Sequence, residues 1–497
     1  MEYLGDYINN SFSVPKSPSG IFTKINPGDL DDNIGKFHYS FDNLNNTVEC
    51  ARKAFSSWRK LSIKDRISYV ENYREVLINR KSDLASIISR EVGKPLWEST
   101  QEVDAMISKV DITINYGLKL IEGFDVERAS GDIFGQCTYK ARGVLGVLGP
   151  FNFPGHLPNG HFIPALLTGN CVIFKPSELT PLSGQLIAEI IHKAGFPQGV
   201  FNLIQGDGRL GSKLVEHEGL DGILFTGSYN TGLSIKKATI DQPWKILALE
   251  MGGKNSTIIL NDAPFDLALY ETLFSSLVTT GQRCSSTSKI ILEKKIAKSF
   301  LKRLKEEIVN LKIAYAFDDK KPFMGPLITE KSVQNFLNSQ LTATKEGHEK
   351  ILDGKRLSLE KKGFYISPAI FLINGSNYNT IYQTEEIFAP NLAIYIVDNL
   401  ETAIDIANTS DYRLVTSIFT KSEKNFKTLL NESKSGLINW NKSTVGASSK
   451  LPFGGGGKSG NNFPTALFAS YYCTYPVSSL VNNTPKENMD FSMFHGN

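Results

Sequence analysis

The spacing of apolar and polar positions predicts helices near the N-terminus. Between residues 45 and 125, apolar residues recur every three or four positions in NNTVECARKAFSSWRKL and in KDRISYVENYREVLINRKSDLASIISREVGK. That spacing is typical of amphipathic helices. Gly93–Lys94–Pro95 should end the second helix, because glycine and proline both terminate helices. The next stretch, GDIFGQCTYKARGVLGVLGP (131–150), alternates as strands do.

Two longer α/β patterns follow. From 144 to 260 the apolar runs VLGVLGP, CVIFKP, VFNLIQ, GILFTG and WKILALE alternate with turns and helical patterns. From about 255 to 450 the strand candidates are STIIL, SKIILE, FYISPAIF, LAIYIV and TSIFT, with helices around 297–312, 330–345, 400–409 and 421–434. This alternation predicts an α/β fold with parallel sheets. In such sheets ligands bind beyond the carboxyl ends of the strands.

Composition narrows the class of protein. The 497 residues are 41% hydrophobic and 21% charged, which is ordinary for a soluble globular protein of two or three domains. A net charge of +3 gives no basic surface for nucleic acid. No apolar run reaches the ~18–20 residues of a membrane span, and the first residues do not resemble a signal peptide. The sequence therefore predicts a cytoplasmic protein that binds neither nucleic acid nor membrane.

Cysteine and histidine positions do not predict a metal site. The five cysteines, at 50, 137, 171, 284 and 473, are widely spaced, and no pair has metal-ligand spacing. His156 and His161 flank LPNG without convincing metal spacing, and we expect both to be structural. We therefore expect a reducing compartment, no disulfide framework and no metal.

Three stretches that follow predicted strands are candidates for nucleotide binding. GDGRLG (206–211), which contains Gly208, fits G-x-G-x-x-G, but the acidic residue expected about twenty positions later is absent. A glycine turn that enters a helix explains this stretch equally well. FKPSELTP and FTGSYNTG are better candidates, because each places small or charged groups between a strand and a helix.

Residues in these two stretches have chemistry that suits a nucleotide. Lys175 could contact a ribose hydroxyl or a phosphate, and Glu178 could accept hydrogen bonds from ribose hydroxyls. Gly227 and Ser228 open a predicted helix whose N–H groups could face a pyrophosphate. The alternative is that Ser177 and Ser228 only begin helices.

Cys284 is the cysteine with the setting of a nucleophile. It lies in the polar stretch GQRCSSTSK, and Arg283 beside it is compatible with a stabilised thiolate. Glu250 ends an apolar strand before Met-Gly-Gly, where it could act as a general base or bond the glycine turn. Asn152, in GPFNFPGH, could donate its amide to an oxyanion or simply turn the chain.

LPFGGGGKSG (451–460) ends like a phosphate-binding P-loop but lacks its beginning. A P-loop has Gly, four residues and then Gly-Lys-Ser, and Pro452 occupies the first of these positions. Proline has no N–H and a fixed φ, so it cannot make the phosphate-binding turn. The spacing therefore excludes an NTPase.

These segments together resemble the aldehyde dehydrogenase superfamily over residues 20–475. The family motifs occur in order as GPFNFP, FKPSE, FTGS, LEMGGKN, GQRC, EEIFAP and the glycines of 452–460. The resemblance implies a Rossmann-type NAD-binding domain at 1–122 and 142–250 and an α/β catalytic domain at 251–460. It also implies a small β bridging and oligomerisation region at 123–141 and 461–497, and a homodimer or homotetramer.

The resemblance also implies roles for single residues. Cys284 would attack an aldehyde and form a thiohemiacetal and then a thioester, Asn152 would hold the oxyanion, and Glu250 would activate water. Glu178 favours NAD over NADP, because a 2′-phosphate would face its carboxylate. The implied cofactor contacts are Lys175, Ser177, Glu178, Gly208, Phe225, Gly227, Ser228, Glu386 and Phe388, and the implied substrate-lining residues are Phe153, Lys289 and Phe453.

A narrower resemblance concerns the substrate. GPFNFPGHLPNGHFIPALLTGN, INWNKSTVGASS and ASYYC resemble the subfamily that oxidises N-succinylglutamate 5-semialdehyde to N-succinylglutamate in arginine degradation. That subfamily usually has basic residues where this chain has Ser288 and Lys289, and an arginine where it has Phe463. Because arginine pairs well with carboxylates, a less anionic aldehyde is the alternative substrate.

Two further alternatives concern the reaction. Aldehyde dehydrogenases that pass the thioester to coenzyme A generally lack the glutamate that Glu250 matches, so Glu250 favours hydrolysis. A catalytically silent NAD-binding relative would not need Cys284, Glu250 and Asn152 together.

Overall fold

The computed structural model describes residues 1–131, 133–319, 321–485 and 489–494. Its strands are β1 (Asp6–Ile8), β2 (Ser11–Ser13), β3 (Gly20–Asn26), β4 (Asp29–Tyr39), β5 (Phe124–Ser130), β6 (Ile133–Ala141), β7 (Val144–Leu148), β8 (Cys171–Lys175), β9 (Phe201–Leu203), β10 (Gly222–Thr226), β11 (Ile246–Glu250), β12 (Asn255–Ile259), β13 (Thr287–Glu293), β14 (Glu349–Leu352), β15 (Ala369–Leu372), β16 (Asn391–Val397), β17 (Tyr412–Arg413), β18 (Val415–Phe419), β19 (Leu437–Trp440), β20 (Pro452–Phe453), β21 (Gly456–Gly457), β22 (Thr465–Ala466) and β23 (Thr474–Val481).

Its α-helices are α1 (Asn43–Trp58), α2 (Ile63–Asn79), α3 (Lys81–Val92), α4 (Leu96–Ile112), α5 (His156–Leu167), α6 (Pro181–Lys193), α7 (Gly208–Glu216), α8 (Tyr229–Ala238), α9 (Phe265–Leu277), α10 (Lys294–Val309), α11 (Glu330–Lys345), α12 (Ile381–Thr384), α13 (Leu400–Ala407), α14 (Glu423–Glu432) and α15 (Ala469–Tyr472). Shorter helical segments are a π-helical turn at Thr113–Gly117 and 3₁₀ turns at Leu118–Ile121, Val278–Gly281 and Ser492–Phe494. None of the helices in the described ranges is both long enough and apolar enough to cross a membrane.

The first sheet has the strand order β11-β10-β7-β8-β9-β1-β2. β7 to β11 run parallel, whereas β1 is antiparallel to both neighbours. β8 and β10 are buried along their whole length, because α1, α5 and α6 pack against this sheet and parallel strands need cover on both faces. The predicted α/β fold is confirmed. The carboxyl ends of β8, β10 and β11 bring Lys175, Thr226 and Glu250 to one edge.

The second sheet has the order β14-β15-β16-β13-β12-β18-β19 and is parallel except for β14. One apolar core joins it to α11 and α13 through side chains such as Phe336 and Ile404. A second core joins it to α9 and α10 through side chains such as Leu269 and Phe300. This sheet draws its strands from residues 255–440 only.

A three-stranded antiparallel sheet with the order β23-β6-β5 stands apart from these two. β23 pairs with β6 from Thr474↔Ala141 to Val481↔Phe134. All residues of β5 are exposed, including the apolar Phe124. An oligomerisation role for this sheet stays a prediction, as does the division of the chain into the three domains given above.

The N-terminal ninety residues differ from the sequence prediction. The hairpin β3–β4 and the strands β1 and β2 were not foreseen, because strands as short as DYI and SFS carry no readable periodicity. The predicted second helix is in fact two helices, α2 and α3, broken at Arg80 (φ −104°, ψ 13°). Its predicted end is confirmed: Gly93 has φ 85°, and a Cβ there would lie 2.5 Å from Pro326 Cγ.

Candidate active site

A cavity of about 280 Å³ is lined by residues of both α/β parts. It brings together the predicted catalytic residues Cys284, Glu250 and Asn152. Phe153 and Phe453, two of the residues predicted to line a substrate, also lie on its wall. The three residues reach the cavity from three separate segments of the chain. The contacts around each one determine which chemical role it can take.

The loop that carries Cys284 is held in an unusual backbone conformation. In the turn before it, Thr279 and Thr280 have φ of 57° and 56°, a region that costs on the order of 1–3 kcal/mol for residues other than glycine. Thr279 donates from its N–H (3.2 Å) and its hydroxyl to the buried Glu98 of α4. Asn255, in turn, donates to the carbonyl of Cys284 at 2.7 Å. The loop is therefore anchored from a helix on one side and a strand on the other.

The surroundings of Cys284 keep its thiol protonated. Burial raises the pKa of Cys284 to about 12, and the charges of Glu386 and Glu250 act in the same direction. Arg283 lowers the pKa of Cys284, as the sequence suggested, but only as a minor contribution. The guanidinium of Arg283 is engaged by Glu98 at 2.9 Å. The predicted electropositive setting is thus outweighed in this state by burial and by two carboxylates.

Asn152 is fixed by a buried network of charges. Its side-chain N–H₂ donates to the carbonyl of Gln282 at 2.8 Å, two residues before Cys284. The backbone carbonyl of Asn152 accepts from the ammonium of Lys94 at 3.0 Å. Lys94 also forms a buried ion pair with Glu102. A carboxamide has two N–H donors, and the structure shows an acceptor for one of them. The other is available to a ligand oxygen in the cavity.

Glu250 presents a buried carboxylate with an unpaired oxygen. Its Oε1 accepts from the N–H of Thr465 at 3.2 Å, whereas Oε2 is buried without a partner in the described part of the chain. Burial raises the pKa of Glu250 well above its ordinary value, and the bond from Thr465 offsets this only in part. A carboxyl with these properties can accept a proton from water near neutral pH.

The glycine-rich stretch 451–460 forms part of the wall of this cavity. β20 pairs with β22 in the register Phe453↔Thr465, and the N–H of Met251 donates to the carbonyl of Ser459 at 2.9 Å. Lys458 forms an ion pair with Glu385 at 2.8 Å. The stretch is therefore a hairpin-like support for Glu250 rather than the start of a helix.

Lys175 and Glu178 lie at the end of β8. The buried ammonium of Lys175 donates to the carbonyl of Pro176 at 2.7 Å and lies 4.0 Å from Glu178. The carboxylate of Glu178 is 43% exposed. Ser177 accepts from the N–H of Leu179 at 3.2 Å, and the helix begins only after Thr180. Ser177 therefore shapes the turn and does not cap α6.

The turn after β10 is shaped by a glycine and by a serine that caps the next helix. Ser228 caps α8 by accepting from the N–H of Thr231 at 3.2 Å. A Cβ at Gly227 would overlap the ring of Phe225, so only glycine lets that ring fold under the turn. Gly208 begins α7, and an added Cβ there would meet open space. GDGRLG is thus a glycine turn entering a helix, with room beside it.

Glu386 links the second α/β part to the glycine turn after Glu250. Its Oε1 accepts from the N–H of Gly253 at 2.8 Å, and burial raises the pKa of Glu386 to about 7. Phe388, two residues later, has φ 50° and meets Phe151 edge-on at 6.0 Å between ring centroids. Because the charge of Glu386 raises the pKa of Cys284, this carboxylate lies close to the thiol.

These residues fit an extended dinucleotide. A lysine and a half-exposed carboxylate stand at one end, the N-terminus of α8 lies in the middle, and Glu386 lies near Cys284. The N–H of Gly227 donates to the carbonyl of Glu250 at 3.0 Å, so a pyrophosphate would have to be held by the first N–H groups of α8, beyond Ser228.

The structure corrects the sequence prediction for Lys289. Its side chain is completely buried, and its ammonium donates to Ile406 O (3.1 Å) and Thr409 Oγ1 (2.8 Å). Lys289 is not part of the wall of this cavity. Position in sequence after Cys284 did not reveal these partners, which come from a distant helix end.

Several cavity residues were missed or assigned a different role. His156 and His161, expected to be structural, both line the cavity. His161 is satisfied by Tyr472 (2.8 Å) and Thr226 (3.2 Å), whereas His156 Nδ1 is buried without a partner in the described residues. Lys109 of α4 also lines the cavity. One signal was available: charged residues at 98, 102 and 109 share the buried face of α4.

Comparisons with known proteins agree with this site. Residues 14–474 match the profile of the aldehyde dehydrogenase family. The chain is 40% identical over 451 residues to N-succinylglutamate 5-semialdehyde dehydrogenase of Escherichia coli, covering 89% of this chain and 90% of that protein.

Solved structures show the same architecture. The crystal structure of an NAD-dependent aldehyde dehydrogenase from Sinorhizobium meliloti superposes with a TM-score of 0.92 at 23% identity, over 97% of this chain and 95% of that one. The NAD⁺ complex of an aldehyde dehydrogenase from Bacillus cereus gives 0.91 at 28% identity, over 97% of both chains. By sequence profile, close relatives and fold, the chain belongs to the aldehyde dehydrogenase family.

Proposed function

We propose that the protein oxidises N-succinylglutamate 5-semialdehyde to N-succinylglutamate, with NAD as the hydride acceptor. The observation that carries the reaction is the convergence of Cys284, Asn152 and the unpaired oxygen of Glu250 in one cavity. The support for the substrate is the 40% identity to the Escherichia coli enzyme of that name.

The first half of the reaction belongs to Cys284 and Asn152. The Cys284 thiol loses its proton to water, which accounts for the proton that the overall oxidation releases, and the sulfur attacks the aldehyde carbon to give a tetrahedral thiohemiacetal. The second N–H of the Asn152 amide and the backbone N–H of Cys284 donate to the new oxyanion, which stabilises charge that develops only in the transition state. NAD, when bound, supplies the acceptor for the hydride that leaves the adduct, and a thioester on Cys284 results.

The residues proposed to hold the cofactor act by position and charge. Lys175 and Glu178 contact the ribose next to the adenine, the N-terminus of α8 at Ser228 faces the pyrophosphate, and Glu386 holds the other ribose. Ser177, Gly208, Phe225, Gly227 and Phe388 shape these contacts. NAD is favoured over NADP because Glu178 would repel a 2′-phosphate; the exposed position of its carboxylate supports this.

Glu250 completes the reaction. Its Oε2 is buried without a partner in the described residues, and Glu250 lines the same cavity as Cys284. It takes a proton from a water molecule, the hydroxide attacks the thioester, and the acid leaves as the thiol is restored. This residue also favours hydrolysis over transfer of the acyl group to coenzyme A.

A less anionic aldehyde is the second candidate substrate, and one observation favours it. The positions where related enzymes carry cations hold Ser288 and Phe463, and neither belongs to the cavity wall in the described residues. Ser288 donates to the carbonyl of Asn255 at 3.4 Å, and Phe463 is 40% exposed. If the cavity binds a dicarboxylate, a residue other than these two must supply the positive charge.

The test measures NADH formation at 340 nm with N-succinylglutamate 5-semialdehyde and with the neutral aldehyde pentanal. We expect turnover of the dicarboxylate, no turnover by Cys284→Ala, and a single burst of NADH by Glu250→Gln followed by a steady rate reduced about 10²- to 10⁴-fold. The burst is expected because Glu250 acts only after the hydride has left.

Each result decides a separate point. Turnover of pentanal alone would keep the reaction and replace the substrate by a less anionic aldehyde. Full activity of Cys284→Ala would remove the nucleophile and with it the whole mechanism. Failure of every aldehyde would leave a silent relative.

A further inference from the structure

We propose that Lys109 and His156 form the subsite that binds a carboxylate of the substrate. This inference deepens the proposed function and rests on it. It supplies the positive charge that Lys289, Ser288 and Phe463 do not bring to the cavity.

Lys109 reaches the cavity from the buried face of α4. It is only 2% exposed, yet it lines the same cavity as Cys284. Its ammonium donates to the carbonyl of Ala466 at 2.7 Å. An ammonium has three N–H donors, so the bond to Ala466 leaves two for a ligand.

The other cations beside the cavity are already neutralised. Lys94 forms its ion pair with Glu102, and Arg283 forms one with Glu98 at 2.9 Å. Lys109, by contrast, has no carboxylate within ion-pair distance in the part of the chain that the structure describes. A buried charge without a partner is costly to maintain, and a substrate carboxylate would provide that partner.

The backbone segment that accepts the hydrogen bond from Lys109 has an unusual conformation. Ala466, whose carbonyl accepts from Lys109, has φ 60°, an unusual conformation for a residue with a Cβ. The preceding residue, Thr465, uses its N–H to hold Glu250. The same two-residue strand therefore fixes the proposed hydrolytic carboxylate and the proposed substrate cation at a set separation.

His156 offers a second donor on the same wall. Its Nδ1 is buried without a partner in the described residues, and its backbone N–H is held by Glu102 at 3.0 Å. Burial and the charge of Lys109 lower the pKa of His156 to about 4, so the ring is neutral at physiological pH. A neutral ring protonated at Nδ1 can donate to a carboxylate oxygen, while burial lowers the pKa of Lys109 only to about 8 and leaves it charged.

The experiment compares Lys109→Met with Lys289→Met as a matched control. Both replace a fully buried lysine by an uncharged side chain of similar length, but only Lys109 lines the cavity. Each variant is assayed with aldehydes that carry two, one and no carboxylates: N-succinylglutamate 5-semialdehyde, succinate semialdehyde and pentanal. Melting temperatures are recorded for both variants, and Lys109→Arg restores the charge.

We expect Lys109→Met to raise KM for a carboxylate-bearing aldehyde by about 10- to 100-fold, as loss of a charge-assisted hydrogen bond predicts. Its kinetics with pentanal should change less than twofold, and Lys109→Arg should recover most of the loss. Lys289→Met should affect all three aldehydes equally.

An equal loss for all three aldehydes in Lys109→Met would overturn the subsite and assign Lys109 to packing. If the wild type rejects N-succinylglutamate 5-semialdehyde but accepts succinate semialdehyde, the proposed substrate fails while the comparison with pentanal still decides the role of Lys109. If Lys109→Met does not fold, His156→Phe removes the second donor and should raise KM for the carboxylate-bearing aldehydes alone. If the wild type oxidises none of the three, both proposals fall.

Discussion

At the scale of single residues, the chemistry depends on how neighbouring groups share buried charge. Cys284 lies near Glu250 and Glu386, and both carboxylates oppose formation of a thiolate. Glu250 has one oxygen satisfied and one not. The site therefore holds its nucleophile in the neutral form and its proposed base ready for a proton.

This arrangement predicts how Cys284 reacts with pH. Because the pKa of Cys284 is raised to about 12, the thiolate fraction should rise about tenfold for each pH unit across the range from 7 to 10. The rate of alkylation by iodoacetamide, followed by mass spectrometry of the peptide that contains Cys284, should rise in the same proportion. Glu250→Gln removes the negative charge that the carboxyl carries when ionised, so it should accelerate alkylation most at the alkaline end of this range, because burial raises the pKa of Glu250.

A plateau in the alkylation rate below pH 9 would contradict this account of the thiol. It would mean that Arg283 and the backbone N–H groups dominate the environment of Cys284 after all.

The residue scale also shows where sequence reasoning succeeds and fails. Asn152, Glu250 and Cys284 were predicted because each lies in a short motif that can be recognised from local sequence alone. Lys109 was not predicted, since its role depends on the carbonyl of Ala466, more than three hundred residues later. Lys289 does not reach the cavity wall, because its ammonium is held by Ile406 and Thr409, more than a hundred residues later in the sequence.

At the scale of elements, helix α4 anchors the loop that carries Cys284. Glu98, on its first turn, accepts from both donor groups of Thr279 and pairs with Arg283. Glu98 is only 1% exposed, so these contacts are shielded from water. Removing one partner of a buried ion pair strongly destabilises the folded state.

Glu98→Gln should therefore destabilise the protein by about 3 kcal/mol, the scale of a broken buried ion pair. A urea titration of the free energy of unfolding measures this change. The matched control is Glu423→Gln on α14, whose partner Lys427 and own carboxylate are both about two-thirds exposed. Its urea midpoint should not move, because exposed pairs contribute little. Equal behaviour of the two variants would show that Glu98 does not anchor the loop.

The helices and strands also show which features the apolar pattern of the sequence can predict and which it cannot. The parallel strands of both sheets were recovered from apolar runs, because burial on two faces leaves a continuous signal; the exception is β19, a parallel edge strand that is only partly buried and was not predicted. The break between α2 and α3 was missed, since the apolar spacing continues through Arg80 and the chain changes direction without glycine or proline.

At the scale of the whole molecule, the three-stranded sheet exposes apolar side chains that a lone chain leaves in water. Phe124 is 58% exposed and Leu480 is 64% exposed on its strands. These two side chains lie on the outer strands of the sheet, and exposed apolar groups of this kind mark interaction surfaces; this supports the proposed homodimer or homotetramer.

Light scattering after size exclusion should give the mass of a dimer or tetramer, and Leu480→Asp should reduce it. Leu341→Asp, which changes a leucine 60% exposed on α11, should leave the mass unchanged. A monomeric wild type would rule out assembly through this sheet.

The glycine-rich hairpin joins the cavity late in the synthesis of the chain. Cys284 and Glu250 lie near the middle of the sequence, but the contacts that position Glu250 come from Ser459 and Thr465, close to its end. A nascent chain therefore carries its reactive thiol for a long interval before the cavity around it exists. A chain that stops after β19 lacks the N–H of Thr465 that holds Glu250, so we expect it to be inactive although it carries Cys284.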